Sequence, residues 1–270
     1  TFGSDGFTVG ANNSVNKSSD PLVSWNWKAN GSGAANTAGS INTTKTSAET
    51  TSGCSIITYT GNGSSGATIG HGMGIKPSMI LVKELAGGND WIVYTQALTA
   101  NKILYLNTSG GENDNSVFFN DVEPTTSLIT LGSIGATNGN GVAMIAYCFS
   151  DVKGFSKQGS YLGNGSTDGT FVYTGFSPAC VIMKCSSSGS TPWLIWDNKR
   201  PGYNVTNLRL RPNTADDEDT STADPIDLLS NGFKCRGSND DSNKAGSSFI
   251  YMAFAESPFV SSTGIPTPAR

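Results

Sequence analysis

The chain contains one histidine, His71, in a glycine-rich stretch, IGHGMG, at 69–74. One imidazole can act as a general base, but a zinc centre built on histidine takes several such ligands. The glycines around His71 lack the spacing of the dinucleotide-binding fingerprint, and no helix-forming run follows them. We therefore expect His71 to be a structural or solvent-facing residue.

Acidic residues are concentrated in two stretches, one after the apolar segment near Leu104 and the other after the segment near Leu208. Clustered carboxylates can bind Ca²⁺, but their spacing does not match an EF-hand loop, so we expect solvated acidic loops and leave calcium binding open. A carboxylate pair can hydrolyse a glycosidic bond only at a separation that a sequence does not give. We predict no catalytic residue, no metal site and no cofactor. The stretches contain Glu112, Asp114, Asp121 and Glu123, and then Asp216, Asp217, Glu218, Asp219, Asp224 and Asp227.

The loop at 197–204, DNKRPGYN, has the most mixed chemistry in the chain. Loops commonly carry the binding residues of a domain, and hydroxyl, amide and aromatic groups suit hydrogen bonding to sugars. We predict that Arg200 and Tyr203 contact a ligand. An ordinary polar loop is the alternative.

The charge balance and the hydropathy pattern exclude two classes of partner. The chain has 270 residues and a net charge of −4, from 17 Lys and Arg against 21 Asp and Glu. There is no basic excess with which to bind nucleic acid. No apolar run approaches the roughly 18 residues of a membrane-spanning helix. We expect no nucleic acid partner and no membrane insertion.

The cysteines predict the redox environment. Five are present, with apolar or β-branched neighbours and without a CxxC pair. An odd set of this kind fits neither a disulfide framework nor a zinc site. We predict small, buried, unbridged side chains and assembly in a reducing cytosol. The five are Cys54, Cys148, Cys180, Cys185 and Cys235.

Short apolar segments rich in Val, Ile and aromatic residues alternate with Gly, Asn-Gly and Pro turns along the chain. Strong helix formers are sparse, whereas Gly alone supplies 33 residues. Short strands separated by turns favour antiparallel sandwiches over parallel α/β sheets. We predict an all-β fold of tandem antiparallel β-sandwich modules, either jelly-roll or lectin-like.

The sequence also repeats itself, which organises the prediction of domains. Matching segments keep their order and spacing: 61–64 with 163–166, 77–83 with 178–184, and 145–151 with 250–256. We interpret this as an internal duplication, with a first sandwich repeat at 54–155 and a second at 156–260. Residues 261–270 are predicted to be a C-terminal tail.

The first 53 residues are interpreted through the same repeat. Residues 22–28 resemble 249–255, so we predict that 1–30 is a partial repeat, the closing strands of a preceding unit. Either more protein precedes it or 7–27 completes the sheet of the first repeat, and we favour both. Residues 31–53 are rich in Gly, Ser, Thr and Asn. They are either a flexible linker or an edge strand.

Large side chains recur at alternate positions, on one face, in the predicted closing strand of each repeat. Burial with a period of two explains such a stripe, so we predict core positions rather than a sugar-stacking surface. The equivalent tryptophans Trp91 and Trp193 receive the same interpretation. The stripe consists of Trp25 and Trp27, Tyr147 and Phe149, and Met252 and Phe254.

Six stretches carry a resemblance over nearly the whole chain: 23–31, 58–64, 146–149, 154–165, 229–234 and 250–256. They are similar to a family of uncharacterised virion-associated or tail-fibre-like proteins of marine bacteriophages. The resemblance implies a virion protein assembled in the host cytoplasm, with other virion proteins as partners and a homotrimer as the oligomer. It supplies no catalytic residues.

Two functions of different classes follow. In the first, the chain is part of a phage tail fibre or spike whose loops bind a host surface polysaccharide or another receptor. In the second, it decorates a capsid or builds a tail without binding a receptor. A polysaccharide-degrading enzyme ranks third.

Overall fold

The computed structural model describes residue 3 and residues 6–257; the predicted tail at 261–270 lies outside the described residues. Nearly all the regular structure is β-strand, and every strand pair is antiparallel. The prediction of an all-β fold with antiparallel sheets is confirmed. Within the described part of the chain, no helix has the length and apolar character needed to cross a membrane.

The strands fall into two groups, which we call the first unit (residues 45–149) and the second unit (residues 156–255). The first contains β1 (Lys45–Glu49), β2 (Cys54–Thr60), β3 (Ala67–Gly70), β4 (Met79–Glu84), β5 (Ile92–Thr95), β6 (Lys102–Tyr105), β7 (Asn113–Asp114), β8 (Leu128–Leu131) and β9 (Ala143–Phe149). The second contains β10 (Ser156–Leu162), β11 (Phe171–Tyr173), β12 (Pro178–Cys185), β13 (Trp193–Asp197), β14 (Ile226–Leu229), β15 (Gly232–Cys235) and β16 (Ser248–Ala255). Three single-turn helices, α1 (Asn13–Asn16), α2 (Gly135–Asn138) and α3 (Asp240–Asn243), complete the described elements.

Each unit has a large sheet and a small one. In the first unit the large sheet runs β1-β2-β9-β4-β5-β6-β7 and the small one pairs β3 with β8. Alternation along β2 sends Ile57 and Tyr59 into the core shared with Ile69 of β3 and Leu131 of β8. In the second unit the large sheet runs β10-β16-β12-β13 and the small one runs β11-β15-β14.

The two units match strand for strand over most of their length. The order β2-β9-β4-β5 corresponds to β10-β16-β12-β13, and the pair β3-β8 corresponds to β11-β15. A buried asparagine follows the small sheet in each unit, Asn138 in α2 and Asn243 in α3. This is a correspondence of structure, and the duplication of 54–155 and 156–260 stays a prediction about the origin of the chain.

The Asn138 amide donates to the carbonyl oxygens of Gly132 (2.8 Å) and Ser64 (2.9 Å) and to Asn62 Oδ1 (3.2 Å), while its Oδ1 accepts from Asn62 N (2.9 Å). Asn243 makes the same four bonds in the second unit. Its partners are the carbonyl oxygens of Gly237 (2.9 Å) and Ser166 (2.9 Å), and Asn164 Oδ1 (2.9 Å) and N (3.0 Å).

The two large sheets pack face to face through a third core cluster. Cys54, Met79 and Val93 of the first unit meet Ile250 and Met252 of the second in this layer. The aromatic stripe predicted from the sequence lies here, apart from Trp25, which is half-buried outside this cluster. It therefore joins the units rather than filling the interior of either one.

Within the stripe, Phe149, Met252 and Phe254 are buried, and Tyr147 is half-buried and stacks on Trp91 with ring centroids 6.1 Å apart. Trp193 is also buried between the sheets. The stripe is thus apolar packing surface at these positions, as its alternation predicts.

The N-terminal part differs from the prediction of closing strands. Residues 20–30 form neither helix nor strand. The Trp27 ring instead lies between Phe149 and Phe254, with centroid distances of 5.8 and 5.2 Å. A strand needs a neighbouring strand for its backbone bonds. No described strand pairs with 20–30, and the Trp27 ring packs on the aromatic side chains instead.

Residues 31–53 contain β1, which pairs with β2 at the edge of the first large sheet. The residues before it also contact the small sheet, because Ile41 N donates to Thr68 O at 2.9 Å. All five cysteines are buried and free, which confirms the prediction of small, buried, unbridged side chains.

Candidate functional site

A cleft of about 360 Å³ opens beside Tyr203 at one end of the second unit. That volume lies in the range of small-ligand sites. The loop after β13 forms one wall, the β14–β15 turn forms another, and the chain leaving β16 closes the third side. Its lining residues are Ser177, Pro178, Asn198, Gly202, Tyr203, Asn204, Thr206, Leu228, Leu229, Ser230 and Glu256.

Asn204 holds the loop after β13 against β14. Its side-chain amide donates to Leu228 O at 2.8 Å, and its Oδ1 accepts from Leu228 N at 2.9 Å. Thr206 then exchanges two backbone bonds with Ile226. The anchored loop leaves the neighbouring Tyr203 81% exposed at the mouth of the cleft.

Arg200, the other predicted contact, does not line the cleft. Its Nε donates to Asp197 Oδ2 (2.8 Å), its Nη1 to Glu218 Oε2 (2.6 Å) and its Nη2 to Ile195 O (3.2 Å). Burial opposes ionisation of Asp197, but the Arg200 side chain and the backbone N–H groups of Lys199 and Arg200 hold its pKa below the usual value. Arg200 therefore fixes the base of the loop by internal bonds, whereas Tyr203 lines the cleft.

Three other polar groups in the cleft were not singled out from the sequence. Asn198 Oδ1 is shielded from solvent and accepts no hydrogen bond from a described residue. Glu256 is exposed, and its backbone N–H donates to Ser177 O at 2.9 Å, which fixes its backbone beside the cleft. Ser230, after β14, also lines the cleft.

The cleft combines an aromatic ring, amide and hydroxyl groups and one carboxylate. Of the residues that the structure describes, no Lys, Arg, His or Cys lines it. A phosphate site has cationic groups or converging backbone N–H groups, and a hydrolytic site needs a second acid or base or a metal.

A family described as a domain of unknown function, DUF7483, matches residues 1–258. The chain belongs to the DUF7483 family. No curated protein and no solved structure matches it. The DUF7483 match covers both units and all the residues that line the cleft.

The second acidic stretch of this DUF7483 chain is paired with arginines. Asp219 Oδ2 lies 2.8 Å from Arg209 Nη2 and 2.9 Å from Arg211 Nη2, and Asp216 is bound to Arg211. Backbone bonding from Ser221 is the main reason that the pKa of Asp219 is lowered. Asp216, Asp217 and Glu218 are exposed, as expected of a solvated acidic loop, whereas Asp219 is half-buried and ion-paired.

Asp224 is fully buried, and burial raises its pKa. It accepts from Ser242 Oγ at 2.7 Å, and its Oδ2 lies 3.2 Å from Arg209 Nη2. The Asp224–Ser242 bond links the loop between β13 and β14 to α3. Among the residues that the structure describes, no group of three or more His, Cys, Asp or Glu is arranged to hold a metal ion.

In the first acidic stretch, Glu112 pairs with Lys102 and Glu123 pairs with Lys76.

His71 is fully buried, with Nδ1 accepting from Met73 N at 3.3 Å and Nε2 placed 3.3 Å from Thr125 O. Burial lowers its pKa. His71 is therefore a buried structural residue and not a solvent-facing one.

Proposed function

We propose that the chain is a non-catalytic binding module that holds a neutral glycan in the Tyr203 cleft. The observation that carries the proposal is the exposed Tyr203 ring at a cleft that is otherwise lined mainly by amide and hydroxyl side chains. Sugars offer apolar C–H faces to an aromatic ring and O–H groups to amides and hydroxyls.

The rest of the cleft favours binding over hydrolysis. Among the described residues Glu256 is the one carboxylate that lines the cleft, whereas a glycosidase of the common kind uses two. The acidic residues nearest in sequence to the cleft loop are held by Arg200, Arg209 and Arg211. A neutral ligand also predicts binding that changes little with salt concentration.

The resemblance to virion-associated phage proteins supports a location for this activity. In the proposal, the module is part of a tail fibre or spike, is assembled with other virion proteins in the host cytoplasm, and binds a host surface polysaccharide. A capsid-decorating or tail protein without a receptor is the second candidate. Leu162 and Tyr173 of the second unit favour it, because both side chains are largely exposed and exposed apolar surface fits a protein neighbour.

A glycan array tests the proposal with the purified chain. We expect a neutral oligosaccharide to bind, Tyr203→Ala to weaken that binding about tenfold, and Tyr203→Phe to keep it. Tyr173→Ala is the matched control, because Tyr173 is an exposed tyrosine outside the cleft. Equal binding by Tyr203→Ala, or no binding to any glycan, contradicts the proposal. Release of reducing ends from a bound polysaccharide indicates an enzyme instead.

A further inference from the structure

The outer face of the small sheet differs between the two units. In β3 the outward positions hold Thr68 and Gly70, and the chain at 36–41 covers them. In the corresponding strand β11 the outward positions hold Phe171 and Tyr173, which are 44% and 65% exposed. The second unit therefore presents two aromatic rings to solvent where the first unit has small side chains under its own chain.

These rings belong to a continuous apolar strip across the small sheet. Gly232 of β15 pairs with Tyr173 on one side and with Leu229 of β14 on the other. A Cβ atom at Gly232 would clash with Val172 O and would lie 3.1 Å from Phe171 Cε2, so the Phe171 ring lies close to the bare backbone between the two. Neighbouring strands are about 4.8 Å apart, so the strip spans about 10 Å. We call Leu229, Phe171 and Tyr173 the apolar strip.

The apolar strip begins at the Tyr203 cleft. Leu229 belongs to both, because it also lines the cleft. Thr174 N, just after β11, donates to Asn231 O at 3.0 Å, which ties the end of β11 to the β14–β15 turn beside the cleft. Ser177, further along the same segment, lines the cleft as well. The cleft and the strip are therefore neighbouring parts of one surface.

The charged side chains beside the strip are paired with one another. Lys234, which lies opposite Phe171 in the sheet, is bound to Asp168. Arg236 Nε lies 3.3 Å from Asp227 Oδ2. The two cations and the two carboxylates balance. Because complementary potentials favour binding, a surface without a net charge suits a neutral occupant.

The size of the strip favours a narrow occupant. A stable protein interface buries roughly 800 Å² on each side. A whole aromatic side chain supplies about 150–250 Å² of such an area, so the partly exposed side chains of the strip supply far less than an interface needs. A sugar ring needs only one aromatic ring against its C–H face.

We propose that the apolar strip binds the continuation of a polysaccharide chain, of which one segment lies in the Tyr203 cleft. This inference rests on the glycan binding proposed above, and it specifies that the natural ligand is a polymer. Successive sugar rings lie on Leu229, Phe171 and Tyr173, and the Tyr173 hydroxyl is available for a hydrogen bond at the far end. A short oligosaccharide fills the cleft alone, so Tyr173→Ala leaves its binding unchanged.

A series of oligosaccharides of increasing length tests the inference. It is built on the neutral sugar selected on the glycan array and runs from the disaccharide to the octasaccharide, with each Kd measured by titration calorimetry. We expect the wild-type chain to bind the octasaccharide at least about tenfold more tightly than the shortest member that binds. Tyr203→Ala should weaken the binding of short and long members alike.

The double variant Phe171→Ser/Tyr173→Ser isolates the strip. We expect it to bind the shortest member as the wild type does, which also shows that it is folded, and to lose the gain that comes with length. Leu85→Ser is the matched control, because Leu85 is 57% exposed in the first unit. This control should keep both the short-chain affinity and the gain.

Three results would overturn the inference. The first is binding of the short members without a gain for the octasaccharide, which leaves the glycan function of the cleft intact. The second is an equal gain in the wild type and the double variant, since that gain would reflect only the number of repeats. The third is self-association of the wild type that the double variant abolishes, without a gain for the octasaccharide, because the strip would then bind protein. Absence of binding by every member would contradict the proposed function as well.

Discussion

The indole N–H of Trp193 in the second unit donates to the backbone carbonyl of Tyr105 in the first, at 2.8 Å. The ring is also buried in the layer between the two large sheets. One side chain therefore combines the apolar and the polar contacts that join the units.

Replacing this tryptophan measures both contributions. We expect Trp193→Phe to lower the free energy of unfolding by about 1–3 kcal/mol, because the Tyr105 carbonyl loses its donor inside the protein. Trp193→Ala should cost about 3–5 kcal/mol through the added cavity. Urea unfolding measures both values. Trp91→Phe is the control, and a loss as large as that of Trp193→Phe would contradict the assigned role of the interunit bond.

We expect Asn138 and Asn243 to contribute similarly to the free energy of unfolding. Each buried amide makes three donated bonds and one accepted bond. Alanine at either position leaves several buried groups unpaired, and we expect a loss of about 2–4 kcal/mol in unfolding free energy. Asn207→Ala, which removes one exposed bond, should cost under about 1 kcal/mol. If one of the two buried asparagines is dispensable, the structural match between the units does not extend to their stability.

Lys184 predicts a dependence of stability on pH. It is fully buried, and its Nζ donates to Cys185 O (2.9 Å), Thr191 Oγ1 (2.8 Å) and Ser109 O (3.3 Å). Burial lowers its pKa from 10.5 to about 8. The unfolded chain then holds more protons between those values, so the Lys184 contribution to stability rises as the pH rises from about 8 to 10.5.

The measurement compares the wild type with Lys184→Met. We expect the unfolding free energy of the wild type to gain about 3 kcal/mol relative to this variant between neutral pH and pH 10.5. The difference is needed because other groups oppose the trend: burial raises the pKa of Cys54 to about 11. Lys83→Met, at the corresponding place in β4, is the control. A constant difference between wild type and Lys184→Met would contradict the assignment.

Calcium should leave the thermal stability unchanged. The Asp219 carboxylate is bonded to Arg209 and Arg211, and Asp216 to Arg211, so a cation would have to displace these arginines. Thermal unfolding with and without millimolar CaCl₂ checks this, with MgCl₂ at equal ionic strength as the control. A rise in Tm specific to Ca²⁺ would show a site that the arginines do not block.

Local pattern was sufficient to predict much of the fold. Alternation along β2 places Ile57 and Tyr59 inside. β16 is instead buried on both faces, because one face lies in the core of the second unit and the other, with Phe254, lies in the layer between the large sheets. The pattern says that a face is buried but not what covers it. Packing of one large sheet on the other was therefore not predicted.

The candidate site, like the fold, was predicted only in part. Tyr203 was predicted from the chemistry of its loop, and the structure places it at the cleft. Arg200 was predicted for the same reason, yet Glu218 and Asp197 occupy its guanidinium. Glu256 and Asn198 were missed, because the distance between the β13 loop and the end of β16 is set by the folded chain.

The most direct test of glycan binding is to map the ligand by amide NMR, using the oligosaccharide selected on the array. We expect shifts concentrated at 198–204, at 228–230 and at Glu256, and their loss in Tyr203→Ala. Shifts centred elsewhere, or shifts that persist unchanged in Tyr203→Ala, would contradict it.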